Sequence, residues 1–110
     1  MNLKTILEQL NIPVAYDHFN VATEPPFICF RRYSQDNFGA DNKVYKVINN
    51  YYIYLVTEYK DIELEQQLEN LLTDSEIYFE VVSEDYISDE NTYQIIYEVT
   101  LENEENVLSI

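Results

Sequence analysis

Apolar positions along the chain fall into two periods. Leu3, Ile6, Leu7 and Leu10 follow the three-and-four spacing of one helical stripe, and Asn11 and Pro13 end it because proline cannot continue the hydrogen-bond ladder. Val14 to Tyr16 reads as a short extended piece, and Asp17 to Pro26 as a polar loop or edge that closes on a proline pair. Phe27 to Tyr33 is rich in aromatic and β-branched residues and predicts a strand. Ser34 to Asn42 holds the single glycine and several Asn and Asp, which predicts a long turn or loop. Lys43 to Tyr59 carries the strongest β signal, with Asn49-Asn50 a possible turn inside it. In its second part Tyr51, Ile53, Leu55 and Thr57 face one side, and Tyr52, Tyr54 and Val56 the other. Both faces are apolar or aromatic, so the strand is either sandwiched within the fold or covered on one side by another subunit.

Asp61 to Thr73 predicts the clearest helix. Asp61 is the N-cap, and Glu63 and Glu65 lie in the first turn, where the positive end of the helix dipole favours them. Leu64, Leu68, Leu71 and Leu72 form its buried stripe, with Glu65, Gln66, Glu69 and Asn70 toward water. Ile77 to Ile87 and Thr92 to Glu102 predict a hairpin whose second strand alternates as a sheet with one covered face. The expected fold is α+β: a mainly antiparallel sheet of four to five strands with two helices packed on one face. The 110 residues suit a single domain, with 103–110 expected as a loose acidic tail.

Composition sharpens this picture. Hydrophobic residues make up 46% of the chain, enough for a core and too many for a disordered chain. No apolar run approaches the roughly 18 residues that cross a bilayer. The N-terminus lacks a long apolar stretch and a small-residue cleavage site, so synthesis and folding in the cytoplasm are expected. The net charge of −15 is unevenly placed. Residues 1–60 balance six bases against six acids, whereas 61–110 carry fifteen acids and no base. Such a chain is poorly suited to gripping a phosphate backbone, where affinity comes from Lys and Arg. Its acids serve as a solvated face, or meet a basic partner, or let DNA pass without adhering.

Candidate chemistry is sparse. With Gly39 alone there is no glycine-rich phosphate cradle. Cys29 and His18 are each the only residue of their type, which removes disulfides within the chain and multi-cysteine or paired-histidine metal sites. Cys29 sits in an apolar run, the setting of an inert thiol rather than a nucleophile, and nothing in the sequence brings His18 to it. The segment DNFGADN lacks the residue order and distal Glu of a calcium loop. No catalytic, cofactor or metal residues are therefore expected, and the chain reads as a non-enzyme.

Tyrosine is the informative excess, with eleven in the chain. Its ring buries area and its hydroxyl keeps a partner, which suits both a small sheet's core and a protein interface. Arg31 and Arg32 are adjacent in a strand, so one of them points outward, available to the acidic half of a neighbouring copy. A head-to-tail contact between unlike surfaces generates rings when it closes. Candidate subunit contacts are Phe38, Tyr45, Tyr51 and Tyr52 for packing, and Arg31, Arg32, Lys43 and Lys46 for pairing with acidic neighbours.

Several segments together resemble the small tail proteins of long-tailed phages and prophages of Gram-positive bacteria. They are the N-terminal helix followed by IPVAYDHF, then PPFICF, then FGADNKVYKVINNYYIYLVT, and DIELEQQLENLL before a tyrosine-rich hairpin. The resemblance runs from about Leu3 to Glu102 and is nearest the tail terminator, or tail-completion, group. It implies a virion protein without enzymatic activity or cofactor. Such subunits form a hexameric ring on the head-proximal end of the tail tube, where the ring stops polymerisation of the tube protein and meets the head-completion protein. DNA would pass through such a ring, and acids lining its lumen would repel phosphates within a Debye length of about 8 Å. A head–tail joining or head-closure protein of the same particle is the alternative, and an acidic DNA-mimic inhibitor stands further off.

Overall fold

The computed structural model describes residues 2–40 and 42–102, with only the backbone of Ala40, Val44 and Tyr45. The acidic tail expected over 103–110 lies outside the described residues. The fold is α+β, with two helices on one face of a mostly antiparallel five-stranded sheet. Helix α1 (Leu3–Leu7) runs into a 3-10 turn at Glu8–Leu10, and strands β1 (Val14–Tyr16), β2 (Phe27–Ala40) and β3 (Lys43–Thr57) follow. Helix α2 (Ile62–Asp74) then leads to the hairpin of β4 (Phe79–Ile87) and β5 (Thr92–Glu102). The strand order is β1-β2-β3-β5-β4, with only β1 and β2 parallel.

Local signals set the element ends. The Asn2 side chain accepts a hydrogen bond from the Thr5 amide at 2.9 Å and starts α1, and Asn11 closes the following turn at φ 60. Asp61 accepts from the Leu64 amide at 3.0 Å and caps α2. Asn42 takes φ 64 where β2 turns into β3, and Asn91 takes φ 52 between β4 and β5. Asparagine tolerates this left-handed region. Gly39 is not among the residues of positive φ and lies within β2.

The expectation of a loop over Ser34 to Asn42 is therefore corrected: β2 continues to Ala40 and pairs with β3 as far as Lys43. Asn and Asp are poor strand formers in isolation, but pairing with a strong β sequence overrides that preference. Nor does Asn49-Asn50 form a turn. Asn49 is buried, and its Oδ1 accepts from Gln35 Nε2 at 2.8 Å and Arg32 Nη1 at 3.3 Å. Asn50 points to the opposite face, where it donates to Ser34 Oγ and Asp36 Oδ2 and accepts from Thr100 Oγ1. Each amide finds strand partners on its own face, so the chain stays extended.

The core lies between the helices and one sheet face. Register places Ile28, Leu55 and Ile95 in one row and Phe30, Ile53 and Tyr97 in the next. Leu3, Ile6 and Leu7 of α1 and Leu64, Leu68 and Leu72 of α2 cover these rows. Two acids expected toward water are drawn in. Glu65 is buried and accepts from Lys60 Nζ at 2.7 Å, and Lys60 also bonds Glu84 of β4. Glu69 accepts from the hydroxyl of buried Tyr97 at 2.8 Å, which ties α2 to the sheet. Burial and then the Glu69 bond push the Tyr97 pKa upward.

Three substitutions test this packing. Leu68→Ala removes a fully buried side chain and is expected to cost about 2–5 kcal/mol in urea unfolding. Exposed Gln67→Ala is expected to change stability by less than about 0.5 kcal/mol. Tyr97→Phe deprives Glu69 of its donor and is expected to cost about 1–2 kcal/mol in the same assay.

Candidate interaction surfaces

Among the described residues no helix lies over the other face of the sheet. Alternation sends Phe27, Cys29 and Arg31 of β2, Tyr52, Tyr54 and Val56 of β3, and Gln94, Ile96 and Glu98 of β5 to this side. All but Val56 remain partly exposed. A register shift between Arg32 and Ser34 leaves Tyr33 as an extra residue in β2, and its ring stacks on Tyr52 at 4.2 Å with planes 16° apart. The Tyr33 hydroxyl donates to Glu98 Oε2 at 2.8 Å. Desolvation against the sheet, reinforced by that bond, raises the Tyr33 pKa to about 12. Arg31 Nη2 donates to the Tyr54 hydroxyl at 3.4 Å, and Arg31 Nε lies 4.0 Å from Asp17.

Beside this row is a shallow hollow of about 340 Å³, lined in part by Asp17, Cys29, Arg31, Tyr54 and Gln94. Burial, and then the negative charge of Asp17, push the Cys29 thiol pKa upward, which disfavours the reactive thiolate. His18 Nδ1 lies 2.9 Å from Asp17 Oδ2 at an exposed site. Among the described residues no three His, Cys, Asp or Glu side chains come together to hold a metal ion. No described helix is long and apolar enough to cross a membrane. The hollow offers hydrogen bonding and flat aromatic area, the chemistry of a contact surface.

The second surface is an arm. Beyond the pairs Asp36↔Ile48 and Ile48↔Glu102, β2 continues for four residues and β3 for five, paired with each other among the described residues over about 15 Å at the usual strand rise. This extension contributes to a longest dimension of 52 Å against 29 and 23 Å for the other axes. Phe38 stands 58% exposed on the arm, and Lys43 is exposed near its turn.

The sequence-derived candidates separate accordingly. Phe38 and Lys43 lie on the arm, Tyr52 and Arg31 on the open face, and Lys46 is 3.3 Å from Glu102 of its own chain. Arg32 points to the helix-bearing face, where it bonds Asn49 at the margin of the core. Tyr45 belongs to β3, and its side chain is outside the described set. Tyr51 is corrected: it is fully buried beneath the helices, because alternation puts it in line with Ile53 and Leu55, and it offers no contact to a neighbour. Tyr33 is absent from the sequence-derived set. Its spacing of two from Arg31 is the signal that places it on the open face.

Alkaline pH tests the tyrosine environments. The folded state holds the Tyr33 and Tyr97 protons more tightly than the unfolded chain, whose tyrosines ionise near the ordinary value of 10. The stabilisation is therefore complete below pH 10 and is lost as pH rises from there through about 12, where folded Tyr33 titrates. Urea unfolding across that range is expected to show falling stability, with a shallower slope in Tyr33→Phe and Tyr97→Phe. No family model matches the chain, and no curated protein matches it.

Proposed function

We propose that this chain is a structural subunit of a bacteriophage tail, acting as the tail terminator. In this reading copies join into a ring, expected to be a hexamer, on the head-proximal end of the tail tube. The ring stops addition of tube protein and receives the head-completion protein. The observation that carries the reading is the uncovered tyrosine-rich sheet face, with Tyr33 stacked on Tyr52 and Arg31 beside Tyr54. Strand β3 is apolar on both sides, yet among the described residues the helices cover only one, which leaves the other to meet a second protein. The segment resemblance supplies the identity of the particle. The acidic second half suits a subunit past which DNA travels without adhering.

A head-closure role in the same particle is the second reading. It is favoured by the projecting β2–β3 arm, a shape able to reach into a central channel. Electron microscopy of lysates from a phage lacking this gene separates the two. Full heads beside detached tails of excessive, irregular length are the expected result. Emptied heads beside tails of normal length would move the protein to head closure. Normal infectious particles would remove it from the virion and bring forward an acidic inhibitor.

A further inference from the structure

We infer that the open sheet face receives a basic protein surface, one that sets apolar side chains over Tyr52, Tyr54 and Ile96 and a lysine or arginine between Glu98 and Glu80. The inference rests on the reading of this face as a contact surface and deepens it by naming the chemistry of the partner. Three observations carry it.

Register divides the face into an aromatic half and an acidic half. One cross-strand row runs Arg31, Tyr52, Glu98 and Glu80, and the next Cys29, Tyr54, Ile96 and Ser83. Tyr52 and Tyr54, with Tyr33 stacked on Tyr52, form an aromatic strip that keeps partial exposure. The acids lie on the two strands beyond it, with Asp85 opposite Gln94 a row further on, and neither β4 nor β5 carries a base. A partner that covers both halves must place apolar groups beside positive charge.

The acids of this side have no counter-charge from their own chain. Glu80 and Glu98 stand directly opposite each other across β4 and β5, a like-charge pairing that opposes folding. The Tyr78 and Tyr33 hydroxyls donate to them at 2.7 and 2.8 Å, which holds the carboxylates in place and leaves their charge. Among the described residues neither forms an ion pair with Lys or Arg. On the helix-bearing side the chain meets the same problem itself, with Lys60 bridging Glu65 and Glu84. An incoming base would do on the open side what Lys60 does there, and the neighbouring Tyr52 ring would add a cation–π contact.

Net charge selects the class of partner. At −15, two copies of this chain repel each other, and nucleic acid is repelled as well. A basic protein is drawn to the acidic half, and the aromatic strip adds the apolar area that an exposed charge contact lacks.

The test uses the full chain and synthetic peptides made of three repeats of Lys-Leu-Ser, Glu-Leu-Ser or Lys-Ser-Ser. Binding is read from methyl NMR spectra, in which Ile96 reports the open face and buried Ile95 the core. The Lys-Leu-Ser peptide is expected to shift the Ile96 methyls, to spare Ile95, and to bind about tenfold more tightly than the other two. Added salt is expected to weaken it. Glu80→Gln with Glu98→Gln keeps both hydrogen-bond acceptors and is expected to weaken binding about five- to tenfold. Glu63→Gln with Glu76→Gln removes the same charge away from the face and is expected to leave binding within about twofold. Far-UV circular dichroism and urea unfolding confirm that both variants fold, and Glu80→Gln alone replaces the first if it does not. Equal weakening by the two double variants, or equal binding of Lys-Ser-Ser, would overturn the inference in favour of diffuse charge attraction. An Ile96 shift on dilution without peptide would give the face to a second copy, and one on removal of residues 103–110 would give it to the chain's own segment. Either result overturns the basic partner. Absence of binding overturns it as well, with the tail role still decided by the gene-deletion phenotype.

Discussion

Burial of one side of β3 beneath α2 is the constraint from which the rest follows. Tyr51, Ile53 and Leu55 are fully covered, and Leu68 and Leu72 of α2 are fully covered within the same cluster. Each such side chain contributes about 1.5–3 kcal/mol relative to exposure, so this layer outweighs any surface interaction in the molecule. Because strand side chains alternate strictly, fixing these three inward fixes Tyr52, Tyr54 and Val56 outward. The same alternation, carried across the register to β2, separates Arg31 from Arg32. The composition of the open face is thus a consequence of the core.

The acids of the second half are not all a passive solvated surface. Glu65 and Glu84 share Lys60, and Glu69 receives the Tyr97 hydroxyl. These contacts join α2 to β4 and β5 and recruit part of the charge into the fold. Glu98 does the same on the open face by fixing Tyr33 over Tyr52. Around β4 the remaining acids mark one side of the sheet, while four of the six bases lie on β2 and β3. The charge of the chain is therefore unevenly placed across the sheet, acidic around β4 and nearer balance around β2 and β3.

The arm follows a different logic. Its strands run past the end of the core, so their pairing rests on ladder bonds, and at its base Asn50 bonds Ser34 and Asp36 across the strands. Regions of this kind lie at the low end of local stability and are readily stabilised by a partner.

The fold class, the order of elements, the Asp61 cap and the leucine stripe of α2 were legible in the sequence, because each rests on local periodicity or capping. The opposed faces of Arg31 and Arg32 were legible for the same reason. Sequence by itself also determined the charge asymmetry and the lack of a glycine-rich or multi-cysteine motif. Tertiary structure decided which face of β3 the helices would cover, and so placed Tyr51 in the core and Tyr52 outside. It also decided that Ser34 to Ala40 is strand: cross-strand pairing with Lys43 to Asn50 outweighs the turn preference of its Asn, Asp and Gly. The burial of Glu65 and Asn49 was settled the same way, since their partners Lys60, Arg32 and Gln35 come from outside their own turn or strand. Local sequence carries local preferences, and partners brought together by folding determine which of those preferences prevail.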